Sequence, residues 1–165
     1  SIMRSTITAS LLITLMTIGN AYAASSACPA VSDIIQVKDE HEGGYEYFAP
    51  GPDKRVWVGS NPYAEEHHIE TFEFTGGLYR DISSEGNKFV VSCDYEGEEF
   101  LAFTRLTLYS FNDWKPATHT LWKREVNKQA LLNNKNAQHV ETCTSKDQEK
   151  CVFDYSSLSA APSKK

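Results

Sequence analysis

The sequence predicts a mainly β protein: a single antiparallel β domain, built as a sandwich, a barrel or a curved meander, with little helix and two disulfides. Three observations carry this. Short segments that alternate apolar and polar residues recur at roughly ten-residue spacing, separated by glycine- and proline-bearing turns. Only residues 127–138, NKQALLNNKNAQ, have any helical character, and their asparagines limit it to one or two turns. Four cysteines follow a segment with the order of an export signal, which reads as a disulfide framework.

Residues 1–23, SIMRSTITASLLITLMTIGNAYA, supply that signal. Met3 is the start, with Ser1 and Ile2 upstream of it, and Arg4 makes the positive n-region. An apolar run centred on Leu11–Ile18 follows, Gly19 and Asn20 break it, and Ala21 and Ala23 suit cleavage near Ala23. The run is too short to cross about 30 Å of hydrocarbon. Ser25 stands where a lipoprotein signal would place a Leu-like residue before Cys28. The expected product is a β domain over 24–155 with a flexible tail over 156–165, periplasmic or secreted, and without stable membrane insertion.

Along that domain, a polar lead (ASSA) precedes Cys28, and DIIQVK alternates weakly up to the turn DEHEGG. YEYFA (45–49) and RVWVGS (55–60) read as strands separated by the PGPDK turn. HIETFEF (68–74) reads as a strand with His68 and Glu70 on a shared face, and TGG after it as a turn. The clearest pair is NKFVVSCDYEG and EEFLAFTRLTLYS, with a short hairpin link at Gly97. Phe89, Val91, Cys93 and Tyr95 share one face of the first; Phe100, Ala102, Thr104, Leu106 and Leu108 share one face of the second. THTLWKREV, HVETC and CVFDY complete the set.

Cys28, Cys93, Cys143 and Cys151 allow three connectivities. Cys143 and Cys151 flank the charged loop TSKDQEK, so their bridge closes most cheaply, as a staple across a hairpin of HVETC and CVFDY. Cys28 then meets Cys93. A zinc knuckle or a redox pair would want C-x-x-C, which the chain lacks.

Loss of Arg4 with the signal leaves 15 Lys+Arg against 22 Asp+Glu, a net charge of −7. No basic run marks a nucleic-acid surface. The densest polar cluster, YAEEHHIE, holds Glu65, Glu66, His67, His68 and Glu70. His67, His68 and Glu70 are weak metal-ligand candidates, because a zinc site needs three or four convergent ligands and only two share a face here. There is no G-x-S-x-G, P-loop or EF-hand pattern, and no cofactor is implied. Trp57 and Trp122 read as core, whereas Trp114, in the polar loop FNDWKPA, is the best exposed aromatic. With Tyr63, Glu65 and Glu66 it forms the candidate interaction surface.

CPAVSDI, VWVGS, IETFEFTGGLY, VVSCDYEG, a later LW and CVF resemble a family of small exported bacterial proteins of unknown function. That family shares a CP…W-x-G…F-x-G…C-x-Y…C-x-F skeleton. The resemblance spans Cys28–Phe153 and implies periplasmic or secreted placement, disulfide bonding of all four cysteines and no assigned catalytic residue. Gly77 follows Gly76 here, where the pattern would have one glycine and an alanine.

Two functions are set side by side. The first is a non-enzymatic binding module, of inhibitor or immunity type, acting on a protein or cell-envelope component through its acidic surface. The second is a small secreted metal-dependent hydrolase that uses the cluster between Glu65 and Glu70.

Overall fold

The computed structural model of the protein describes residues 24–160; the signal segment 1–23 and the last residues of the tail, 161–165, lie outside the described residues. In chain order the strands are β1 (Ala24–Ser26), β2 (Ile35–Lys38), β3 (Tyr45–Pro50), β4 (Val56–Asn61), β5 (Glu73–Ile82), β6 (Lys88–Glu96) and β7 (Phe103–Leu108). There follow β8 (Phe111–Asn112), β9 (Lys115–Pro116), β10 (Lys123–Arg124), β11 (Val140–Thr144), β12 (Phe153–Tyr155) and β13 (Ser157–Leu158). Helix α1 (Lys128–Asn133) lies between β10 and β11 and is capped by Asn127, whose side chain accepts the Gln129 and Ala130 N–H groups.

Two antiparallel meanders, β2-β3-β4 and β5-β6-β7, meet through β4 and β7. With β11 and β10 added beside β5, they make an eight-stranded sheet in the order β10-β11-β5-β6-β7-β4-β3-β2. Two small sheets, β1-β12-β9 and β13-β8, supply the second layer. The mainly β, antiparallel, two-disulfide fold expected from the sequence is therefore present.

Alternation decides which side of the large sheet is buried. Val91, Cys93 and Tyr95 of β6, Leu106 and Leu108 of β7, Trp57 of β4 and Tyr47 of β3 are sealed from solvent. Rings join this face to the small sheets. Trp57 packs on Phe111 of β8 at 6.0 Å, Phe111 on Phe153 of β12 at 5.0 Å, and Phe153 on Trp114 at 6.2 Å. Aromatic burial of this kind contributes about 1.5–3 kcal/mol per side chain and dominates a small β core.

Four sequence expectations change here. Residues 66–71 are not strand but a 3₁₀ helix, Glu66–Thr71, so β5 starts only at Glu73. TGG is not a turn; it lies inside the ten residues of β5, where the register shifts between Phe74 and Gly76. That bulge reverses the alternation, so Phe74 before it and Tyr79 after it are both buried. The two glycines are needed for close approach: a Cβ on Gly76 would sit 2.6 Å from the Cys143 carbonyl oxygen, and one on Gly77 2.9 Å from the Trp122 ring. Third, the tail begins later than residue 156. Ser157–Leu158 pair with β8, and the Asn112 side chain donates to the hydroxyls of Ser157 and Ser159. The polar lead likewise forms a strand, Ala24–Ser26, on β12.

Fourth, Cys28 bonds Cys93 and Cys143 bonds Cys151, but the second bridge does not staple a hairpin. β11 lies between β5 and β10 in the large sheet, while β12 lies between β1 and β9 in a small one. The bridge ties the layers together, and the loop between the cysteines ends in a 3₁₀ turn, Gln148–Cys151, capped by the Asp147 carboxylate.

Candidate functional site

At one end of the large sheet two segments meet, residues 61–72 after β4 and residues 97–103 between β6 and β7. Three sets of side-chain bonds tie them. The Asn61 amide, fully buried, donates to the carbonyls of Leu101 at 2.7 Å and Phe103 at 2.9 Å, while its oxygen accepts the Tyr63 N–H. Thr71 Oγ1 donates to the His68 carbonyl and accepts the Glu98 N–H at 3.1 Å. Glu99 spans both imidazoles, with Oε1 2.9 Å from His67 Nε2 and Oε2 3.0 Å from His68 Nε2.

The 3₁₀ helix explains why the two histidines converge. It starts with a reciprocal cap: the Glu65 carboxylate accepts the His68 N–H, and His68 Nδ1 accepts the Glu65 N–H at 3.1 Å. Because Nδ1 is an acceptor, the proton of neutral His68 is on Nε2, which donates to Glu99. His68 is buried, whereas His67, Glu65 and Glu99 are more than half exposed. The hydrogen bond to Glu99 raises the pKa of His67, and the same bond, followed by the one to His68, lowers that of Glu99.

Glu65, His67, His68 and Glu99 thus offer ligand atoms all within 4.8 Å of one another. Of the sequence candidates, His67 and His68 are in the cluster and Glu70 is not. A strand would have set His68 and Glu70 side by side, but a 3₁₀ helix with three residues per turn aligns Glu65 with His68 instead. Glu99, 31 residues further on, gives no local signal of belonging here.

The interaction surface also divides. Tyr63, Glu65 and Glu66 are exposed on these loops. Trp114 is not exposed: its ring stacks on Tyr79 at 3.9 Å and meets Trp122 edge-on at 5.0 Å. Lys115 and Pro116, the two residues after it, pair with β12 as an edge strand of the small sheet, and the indole packs inward against Tyr79 and Trp122. Phe100, read from the sequence as sharing a strand face with Ala102, Thr104, Leu106 and Leu108, lies before that strand and is 90% exposed, because residues 97–102 form the turn and β7 begins at Phe103. Beside it Leu101 has φ 71°, uncommon for a bulky side chain, and the Asn61 amide holds its carbonyl.

Charge is localised at the same place. Of the 22 acidic residues, Glu65, Glu66, Glu70, Glu96, Glu98 and Glu99 lie between 61–72 and 96–103, where there is no lysine or arginine. Without Arg4 of the signal, the other 16 acids face 15 Lys and Arg, so these six glutamates correspond to six of the seven net negative charges.

Removal of the Asn61 amide in Asn61→Ala leaves two carbonyls and one N–H without their partner. The expected cost is about 2 kcal/mol, read by urea unfolding, with faster amide exchange at Tyr63 than in β6.

Fold and site together define a two-disulfide, antiparallel β domain with a braced acidic loop end. No family model matches the chain, and no curated protein or solved structure matches it. No helix among the described residues is long and apolar enough to cross a membrane.

Proposed function

We propose that the protein is an exported, non-enzymatic binding module whose loop end, carrying Tyr63, Glu65, Glu66 and Phe100, docks on a cationic protein of the envelope or the extracellular medium. The observation that carries this reading is the coincidence of six glutamates, with no lysine or arginine in the same two segments, and two exposed aromatics, Tyr63 at 64% and Phe100 at 90% exposure. A ring held in water at a turn gives the fold nothing, whereas buried in a partner's pocket it serves as an anchor. The carboxylates around it steer a basic partner and fix its orientation. Asn61, Thr71 and Glu99 brace the two loops beforehand, which lowers the ordering cost of association. An inhibitor of a basic hydrolase is the specific form that fits best, since such a partner offers a cleft for the ring and cations for the glutamates. Two disulfides suit an oxidising compartment, and the signal-like residues 1–23 support export.

Affinity capture from envelope extract and culture medium, at low and at physiological salt, tests the reading. Wild-type protein should retain a basic protein that salt releases. Phe100→Ala should weaken that complex about 10- to 30-fold with an unfolding change within about 0.5 kcal/mol, and Glu65→Lys with Glu66→Lys should abolish it at a stability cost of about 1 kcal/mol, since Glu65 caps the 3₁₀ helix. Retention of no basic protein, or retention indifferent to these substitutions, contradicts the reading.

A further inference from the structure

We propose that Glu65, His67 and Glu99 form a site for a divalent transition-metal ion of the Zn²⁺ class, with His68 positioning Glu99. The site does not depend on the protein-binding reading, and its test needs no partner. Four observations converge on it.

The first is spacing. His67 Nε2 lies 2.9 Å from Glu99 Oε1 and 3.7 Å from Glu65 Oε2. Nitrogen and oxygen ligands about 2.0–2.1 Å from a tetrahedral zinc stand about 3.3 Å from each other, a value these two distances bracket. The second is uncompensated charge. Two carboxylates face the same imidazole nitrogens, and among the described residues no lysine or arginine forms an ion pair with either. A dication between them would relieve the repulsion of two like charges.

The third is the state of His68. Its Nδ1 accepts the Glu65 N–H, so its Nε2 bears a proton and donates to Glu99 Oε2 at 3.0 Å. A neutral histidine in this arrangement has no lone pair to give a metal at Nε2. It is instead a buried hydrogen-bond donor that holds one oxygen of Glu99 and leaves the other, Oε1, directed at His67. Outer partners of this kind orient metal-binding carboxylates and sharpen their affinity. The fourth is ligand type. One imidazole with two carboxylates, open to solvent on the remaining side, suits Zn²⁺, Cu²⁺ or Ni²⁺ better than Ca²⁺ or Mg²⁺, which favour all-oxygen shells. Glu65 and His67 lie in one loop and Glu99 in the other, so the ion would add a fourth tie across the loop end.

Titration calorimetry of the metal-stripped protein with ZnCl₂ and with MgCl₂, in a buffer that does not coordinate zinc, decides the matter. The expected result is one zinc per chain and no magnesium heat. His67→Ala and Glu99→Gln, both at exposed positions, should each lower zinc affinity at least about tenfold with unchanged circular dichroism. His139→Ala serves as the control, because His139 and Glu141 form, among the described residues, a second close imidazole–carboxylate pair, at 2.6 Å, and it should leave the titration unaltered. Absence of zinc heat overturns the proposal, as does binding that survives both His67→Ala and Glu99→Gln or that vanishes in His139→Ala.

Discussion

Removal of the Cys28–Cys93 bridge, as the Cys28→Ala, Cys93→Ala double variant, should lower the unfolding free energy by about 4 kcal/mol. The bridge closes a loop with a sequence separation of 65, and the entropy withheld from the unfolded chain grows with the logarithm of that length. Cys143–Cys151 spans a separation of only 8, so the matching double variant should lose about 2.5 kcal/mol. Alanine is preferred to serine because Cys93 is fully buried, and a hydroxyl there would be left without a partner. Against a total stability of about 5–15 kcal/mol, the first loss is large enough to leave a measurable unfolded fraction under mild urea. Urea unfolding of both variants without reductant checks the order. An equal or smaller loss for Cys28–Cys93 would mean that the tie between layers made by Cys143–Cys151, rather than loop length, sets the contribution.

That order was legible from cysteine positions alone, and so was much of the fold. Alternation in β6 and β7 puts Val91, Cys93 and Tyr95, and Leu106 and Leu108, each on one face, and that face meets the core; the middle of β6 is covered on its other face too, at Val90 and Ser92. What alternation cannot convey is a change of phase. The bulge at Phe74–Gly76 and the 3₁₀ helix at Glu66–Thr71 each shift the period. Both sit at long-range contacts, the approach of β11 to Gly76 and the bond of Glu99 to His67 and His68. The site was half legible for the same reason. YAEEHHIE announces ligand chemistry, but the alignment of Glu65 with His68 needs the helix, and Glu99 needs the fold. Local polarity misplaced Trp114, and strand alternation carried Phe100 into a strand that starts only at Phe103. The tryptophan's polar neighbours Asn112 and Lys115 are used in short strands of the second layer, and the phenylalanine's apolar neighbours belong to a turn.

Trp114→Ala should cost about 3–5 kcal/mol, the usual penalty for deleting a large aromatic from a packed core. The indole stacks on Tyr79, meets Trp122 edge-on and lies beside Phe153 and His139, so its loss opens a void between the large sheet and β12. Collapse into that void is resisted from both sides, because Tyr79 is fixed within β5 and Phe153 in β12, two residues beyond the bridged Cys151. Trp114→Phe should cost much less. The buried Nε1 of Trp114 has no hydrogen-bond partner among the described residues, so phenylalanine removes an unpaired donor while it keeps a ring over Tyr79. A surface tryptophan would behave otherwise, with both substitutions within about 0.5 kcal/mol of wild type. Urea unfolding followed by circular dichroism separates the cases. A large loss for alanine and a small one for phenylalanine places Trp114 in the core that holds the two layers together. Near-neutral results for both would return it to the surface, and would remove the ring contact that joins β5 to the small sheet.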